Sequence, residues 1–298
     1  MCAQVNTQAQ LKDHASIAES VLPSWTGQPA KPGRYLVGLD IDGTIVTHAG
    51  ELSPRVARAI SDVRQAGHEV VLATGRSLAA TLPIAADLGI ESGWLVCSNG
   101  AVTARLDLDH ADGYEIVAAV TFDPEPILRM VQREQPDVLV AVEEIGMASR
   151  VSREFPDGEL GGDQIVAGLE ELCARPATRI VLRSPDHDSA HFVEMASRLG
   201  LDEVSYYIGW TAWMDIVAPG VTKASALEQL SRTHLAPYEH SLTIGDGSND
   251  IEMLDWATVS VAMGHADEPV RAAAQVVTLA VENDGLAVVL EWLIDTND

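Results

Sequence analysis

The stretch Tyr35-Leu-Val-Gly-Leu-Asp40-Ile41-Asp42-Gly43-Thr44 decides the fold. Its first half is a short apolar run of the kind that forms a strand buried on both faces, as in a parallel sheet. Two carboxylates, two residues apart, then fall where such a strand must end. Charge in that place is costly unless something uses it. Asp-Gly is also an ordinary turn, but a turn has no need of a carboxylate already inside the strand. Gly43 permits a sharp bend and a close approach of backbone.

Working outward, Ser53-Pro54 supplies a cap and a proline for the first helical position. Val56, Ile60 and Val63 recur at helical spacing, and Gly67 stands where a closing glycine belongs. Residues 69–73 are a second buried strand. Residues 78–88 are a second helix, in which Pro83 predicts a kink or a late start. Residues 94–97 are a third strand. The pattern resumes beyond residue 215, with a helix from Lys223 to about residue 235, strands at 241–244, 259–263 and 276–279, and helices at 250–257, 268–274 and 286–294. This alternation predicts an α/β fold with a Rossmann-like parallel-sheet core. Residues 103–214 read differently. Strand-like runs at 115–121, 138–142, 179–183, 203–208 and 212–217 mix with helices at 126–134 and 189–199, as an inserted α+β module would. The expected organisation is an N-terminal extension over 1–33, with a short helix near 15–22. A core over 34–102 and 215–298 and an insert over 103–214 complete it.

The chain of 298 residues carries 44 Asp and Glu against 19 Lys and Arg, a formal charge of −25. That balance argues against a protein that clamps nucleic acid or lies on anionic lipid, because both need a basic surface. It leaves room for a local pocket that takes a phosphorylated small molecule. Cys2, Cys97 and Cys173 form no CxxC pair and no disulfide framework, which suits reduced thiols. No apolar run is long enough to cross a membrane, and the first residues do not read as a signal peptide. A cytoplasmic protein is expected.

Three further motifs fall at strand ends, where open α/β sheets bind ligands. Thr74-Gly75-Arg76 offers a hydroxyl and a close backbone approach suited to a phosphoryl oxygen, or simply a strand–helix turn with Thr74 as cap. Lys223, in Gly220-Val-Thr-Lys, opens a helix whose dipole it opposes. It needs an anionic partner unless it is solvated. Gly245-Asp246-Gly247-Ser248-Asn249-Asp250 puts two more carboxylates at an apolar strand end. Asp40, Asp42, Asp246 and Asp250 converging on one sheet edge would repel one another unless a hard cation bound them. All-oxygen donors of this kind suit Mg²⁺.

In this order the motifs DIDGT, TGR, GVTK and GDGSND resemble the haloacid dehalogenase-like (HAD) superfamily. The long insert resembles the type-2 (IIB) cap of its Cof-type phosphatases. Ser98-Asn99-Gly100-Ala101, Met214-Asp215-Ile216-Val217, Ile251-Glu-Met-Leu254 and Asn283-Asp284-Gly285-Leu286 add to that likeness, which covers about residues 34–295. The subgroup usually has Glu where Asp215 stands and leucines where Ile45-Val46 stand.

The resemblance implies a Mg²⁺-dependent phosphatase of small phosphorylated metabolites, sugar phosphates above all, with the insert as specificity cap. It implies Asp40 as nucleophile forming an aspartyl-phosphate, and Asp42 as general acid and base. Asp40, the Asp42 backbone carbonyl and Asp246 would hold the metal, with Asp250 supporting. Thr74, Gly75 and Lys223 would grip the phosphoryl group, Asn249 would orient it or the metal shell, and Arg76 would reach substrate. A phosphomutase sharing the aspartyl-phosphate, or a non-catalytic phosphometabolite-binding protein, is the alternative. Outside the motifs, Tyr206, Tyr207, Trp210 and Trp213 form either cap core or a stacking wall for a sugar or base. Glu143-Glu144 reads as a solvated strand end, or else as carboxylates for substrate hydroxyls. His187 and His191, at i and i+4 on an expected helix, read as solvated.

Overall fold

The computed structural model describes residues 32–107, 109–145, 148–156, 158–184, 204–208, 213–235 and 237–295. The short helix near 15–22, Cys2, the helix over 189–199, His187, His191 and Trp210 lie outside them. Two sheets carry the described chain. In the first, β1 (Tyr35–Leu39) lies between β12 (His240–Gly245) and β2 (Glu69–Ala73). The order β14–β13–β12–β1–β2–β3 is parallel throughout, formed with β3 (Gly93–Cys97), β13 (Val259–Ala262) and β14 (Val276–Val277). Six parallel strands with apolar faces on both sides need helices on both sides, and they have them.

Alternate residues of β1 point to opposite layers. Val37 and Leu39 join Val56, Ile60 and Val63 of α1 (Pro54–Gln65) and Leu286, Val289 and Leu293 of α8 (Gly285–Asp295). Leu36 faces Leu227 and Leu230 of α5 (Lys223–Thr233) and Met253 of α6 (Ile251–Trp256). Each such aliphatic side chain contributes about 1.5–3 kcal/mol when fully buried. Gly38 lets α5 approach closely, since a Cβ there would lie 3.1 Å from Leu227. Ser53 caps α1 ahead of Pro54 as its sequence predicts. The helix α2 (Leu78–Asp87) does not start late: Ser77 Oγ accepts from Ala80 N, and Pro83 sits inside it. The short α7 (Glu268–Ala273) connects β13 to β14.

The second sheet has the order β10–β11–β9–β6–β7–β8 and is antiparallel except for β7 and β8. Its strands are β6 (Leu139–Glu143), β7 (Ala148–Val151), β8 (Asp163–Val166), β9 (Arg179–Arg183), β10 (Ser205–Ile208) and β11 (Trp213–Val217). The helices α3 (Glu125–Glu134) and α4 (Leu169–Leu172) cover one face through Ile127, Leu128, Val131 and Leu172. This is the mixed second layer expected of an α+β insert.

Three strands depart from the expected division. β4 (Val102–Leu106) and β5 (Tyr114–Ala119) fold back as a hairpin onto the edge of β3, so the run expected in the insert at 115–121 extends the first sheet. Conversely, Asp215 lies on β11, paired with Val181 of β9, rather than at the start of the core. The β4 hairpin reads in sequence like any alternating strand pair, and only its pairing assigns it to a sheet. Among the described residues Cys97 and Cys173 are free thiols, and no helix is long and apolar enough to cross a membrane.

Candidate active site

Parallel register brings the acidic motifs together. Leu39 pairs with Ile244, and Asp40 N donates to Ile244 O at 3.1 Å, so the residues after β1 and β12 leave the sheet side by side. Gly43, at φ +80°, turns the first loop, and a Cβ there would sit 2.3 Å from the Asp246 carboxylate. Only glycine allows the two loops to touch so closely. Thr44 Oγ1 donates to Asp246 Oδ1 at 3.1 Å and ties them further.

Lys223, wholly buried at the start of α5, is the cation of the site. Its Nζ donates to Asp40 Oδ1 and to Asp250 Oδ1, each at 2.6 Å. Thr222 caps the helix through Ser225 and fixes the lysine's backbone. Burial alone would lower the Lys223 pKa, but Asp250 and Asp40 outweigh it and hold the ammonium charged. The other oxygen of Asp250 accepts from the backbone N–H of Asp246 and of Gly247, both at 2.9 Å. Both Asp250 oxygens are thus engaged in shaping the loop and seating the lysine.

Burial first, and then the Asp250 charge, push the Asp40 carboxyl well above its usual range against the pull of Lys223. Asp40, Asp246 and Asp250 bring carboxylate oxygens within 4.8 Å of one another, and the Lys223 ammonium bonds the first and the last of them. The negative charge exceeds what Lys223 supplies, and the donors are all oxygen. That donor set fits a hard divalent cation.

The remaining predicted residues sit on neighbouring strand ends. Thr74 follows β2, is fully buried, and accepts from Arg76 N at 3.1 Å with its hydroxyl. Arg76 reaches back to Asp42 with two bonds, 2.8 and 2.5 Å. Asp42 therefore does not join the three clustered carboxylates but faces a guanidinium. A Cβ on Gly75 would lie 3.2 Å from Asn99 and 3.4 Å from Asn249, so these three positions crowd one another.

Several residues here had no assigned role in the sequence. Asn99, in a turn where Ser98 and Asn99 both adopt positive φ, accepts from Asn249 Nδ2 at 2.8 Å and donates to Asp215 Oδ2 at 3.1 Å. Glu143 is not a solvated strand end: it is buried, pairs with Arg179 at 2.9 Å and accepts a short hydrogen bond from Ser98 Oγ. Arg179 also donates to the Gly75 carbonyl. The signal for Glu143 and Arg179 was present as charges flanking apolar strands. Glu144 next door does face the surface layer, with Arg150 and Arg175. His265 Nε2 lies 3.4 Å from Asp246 Oδ2.

A family model described as haloacid dehalogenase-like hydrolase matches residues 37–290. The chain is 27% identical over 274 residues to pyridoxal phosphate phosphatase YbhA of Escherichia coli, covering 85% of this chain and 96% of that protein. It is 23% identical over 257 residues to 5-amino-6-(5-phospho-D-ribitylamino)uracil phosphatase YitU of Bacillus subtilis, covering 85% and 95%. A solved HAD subclass IIB sugar phosphatase superposes with a TM-score of 0.71 at 23% identity, over 86% of this chain and 98% of that one. The second sheet with its helices corresponds in fold to the cap of that subclass.

Proposed function

The chain belongs to the haloacid dehalogenase-like hydrolase family, and from that premise we propose that it is a Mg²⁺-dependent phosphatase of small phosphorylated metabolites. The observation that carries this reading is Lys223 bridging Asp40 and Asp250 beside Asp246. Asp40 and Asp246 would hold Mg²⁺, with the Asp42 backbone carbonyl as a further oxygen. Bound there, the cation offsets the charge of the carboxylates and of the phosphoryl group.

Asp40 attacks phosphorus, the ester P–O bond breaks, and the leaving oxygen takes a proton from Asp42. Water then attacks the aspartyl-phosphate and gives its proton to Asp42, which frees phosphate and restores Asp40. Lys223 and Thr74 hold phosphoryl oxygens, and Lys223 keeps Asp40 placed through both stages. Arg76 exchanges Asp42 for the phosphoryl group. Both Asp42 oxygens accept from Arg76 in the structure, so the exchange frees the Asp42 side chain to turn toward the leaving oxygen.

The four motif loops recognise phosphate and metal, not the alcohol, so discrimination falls to the cap over the sheet edge. Relatives named for pyridoxal phosphate and for a phosphoribityl compound support small, singly phosphorylated substrates. The fold of a sugar phosphatase makes sugar phosphates the first class to test. The test is phosphate release from a panel of phosphate monoesters with Mg²⁺, with a chelator, and with the Asp40→Asn enzyme. Release that needs both the cation and Asp40 supports the reading, and release that survives chelation overturns it.

A further inference from the structure

Asp215, on the second sheet, reaches Asn249 of the candidate site through Asn99. Asp215, on β11, is buried and surrounded by donors: Trp213 Nε1 at 2.9 Å, Arg179 Nη1 at 3.3 Å and Asn99 Nδ2 at 3.1 Å. An ionised carboxylate only accepts, whereas an amide side chain has one accepting and one donating end. Asn99 must therefore turn its NH₂ toward Asp215, which leaves its Oδ1 toward Asn249. Asn249 must in turn direct its own NH₂ at Asn99, 2.8 Å away. Its carbonyl then lies on the side of Gly247, where a Cβ would be 2.5 Å from Asn249 Oδ1. Gly247 belongs to the loop that also carries Asp246 and Asp250. The charge of Asp215 is thus converted, through two amides, into the orientation of one acceptor beside the candidate metal loop.

We infer that Asp215, anchored by Arg179 and Trp213 on the second sheet, is a positioning residue that sets through Asn99 which end of the Asn249 side chain the site presents. Two features argue that the arrangement is built for this purpose. The Ser98–Asn99 turn is held in the left-handed region, an uncommon conformation for residues with a Cβ. Gly100 then presses on Thr222, where a Cβ would lie 2.2 Å from its carbonyl. A fixed turn carries Asn99 to a fixed place, so only the direction of its amide is left open, and Asp215 decides it. Arg179 adds a second tie from the cap to the Gly75 carbonyl in the motif that holds Thr74 and Arg76. The cap is therefore part of the orientation of the core motifs as well as a lid over them.

The inference deepens the proposed phosphatase reading and rests on it for its kinetic consequence, but its structural test does not. Asp215→Asn keeps the shape yet offers Asn99 a donor as well as an acceptor, so the amide chain can reverse. In the full-length protein this variant should unfold at a temperature close to that of the wild type. Its kcat on a sugar phosphate should fall roughly tenfold or more, the scale of a lost charged hydrogen bond, with a smaller change in KM. Asp215→Glu, which still only accepts, should recover most of that loss. In the Asp215→Asn/Asn249→Ala double variant the losses should not multiply, because both act on one group. Multiplicative losses, or failure of Asp215→Glu to recover more than Asp215→Asn retains, would overturn the inference.

The wild-type protein alone gives a reading independent of turnover. The side-chain NH₂ protons of Asn99 and Asn249, assigned by NMR, should exchange with water at least roughly tenfold more slowly than a free amide. Free exchange at Asn249 would overturn the inference whether or not any variant folds. Failure of the phosphatase reading would instead appear as a wild-type protein that keeps these protected amides and releases no phosphate from any ester.

Discussion

Arg76 holds both carboxylate oxygens of Asp42, at 2.8 and 2.5 Å, across the mouth of the candidate site. The pair is half exposed, so its own contribution to stability is small. Its consequence is kinetic. A guanidinium on Asp42 is available to a phosphoryl group that arrives next to it, and Asp42 is released by the exchange. Arg76→Met should therefore raise KM for every phosphate ester. The loss of one charge-assisted bond of about 1.5–3 kcal/mol predicts a fall of roughly 10- to 150-fold in kcat/KM. Asp42→Asn should instead lower kcat by about 10²–10⁴. Steady-state kinetics on one ester separates the two, and a rise in kcat with unchanged KM in Arg76→Met would mean that the arginine only locks Asp42.

The crowding of Asp40, Asp246 and Asp250, with Lys223 bonded to two of the three, gives a prediction that needs no substrate. Excess Mg²⁺ should raise the unfolding temperature of the wild type, because a ligand at a hundred times its Kd stabilises by about 2.7 kcal/mol. Asp40→Asn removes one of the mutually repelling charges, so it should fold at least as well without metal and respond to Mg²⁺ much less. Its turnover should drop by roughly 10⁴-fold or more, as when a nucleophile is deleted. Calorimetry with and without a chelator checks the first part. A wild type indifferent to Mg²⁺ would contradict the cation site.

The site was legible where one strand carried the whole signal. Asp40 and Asp246 each follow an apolar strand directly, and parallel pairing of β1 with β12 then makes them neighbours. The elements of the first sheet were legible for the same reason, since buried strands between capped helices have few other readings. What the sequence concealed depends on pairing between distant segments. Asn99 and Asp215 are 116 residues apart, and nothing local in either marks the contact. Glu143 and Glu144 read alike in the sequence as a solvated strand end, and only the approach of Arg179 and Ser98 to Glu143 distinguishes them. The β4–β5 hairpin has the alternation of any half-buried pair, which does not say which edge it will join.

His68 gives a pH-dependent stability distinct from the site. Its Nδ1 accepts from the backbone N–H of Tyr35 at 3.1 Å, which requires the neutral ring. Burial first, then the Arg34 charge, lowers its pKa from the usual 6.5. The folded chain thus binds this proton less readily than the unfolded one, so the contribution is present above pH 6.5 and is lost as pH falls toward the folded value. His68→Asn, which can still accept at Oδ1, should be less sensitive than the wild type over that window. Urea midpoints on either side of it, compared between the two proteins, check this. Parallel pH profiles would show that the shift lies elsewhere.

The aromatic group in the second sheet divides into two roles. Trp213 packs on Phe155 edge-to-face at 6.1 Å, among Leu139, Val151 and Val181, and donates to Asp215. It belongs to the cap core and to the Asp215 anchor, not to a stacking wall. Tyr207 packs at the junction with Val217, Ala218 and Val221, with its hydroxyl 3.4 Å from the Val221 carbonyl. Tyr206, on the same strand, points the other way and is 41% exposed. Alternation along β10 gives one tyrosine to the interior and leaves the other for a ligand or for water. Trp213 is only partly buried, so Trp213→Ala should cost less than the about 3–5 kcal/mol of deleting a large aromatic from a core, and should depress activity on all esters together. Tyr206→Ala should leave the unfolding temperature nearly unchanged. If Tyr206 meets the leaving group, its loss should change kcat/KM unevenly across sugar phosphates, pyridoxal phosphate and a generic aryl phosphate, with the aryl ester least affected. An even response from Tyr206→Ala would return the choice of substrate to other parts of the cap.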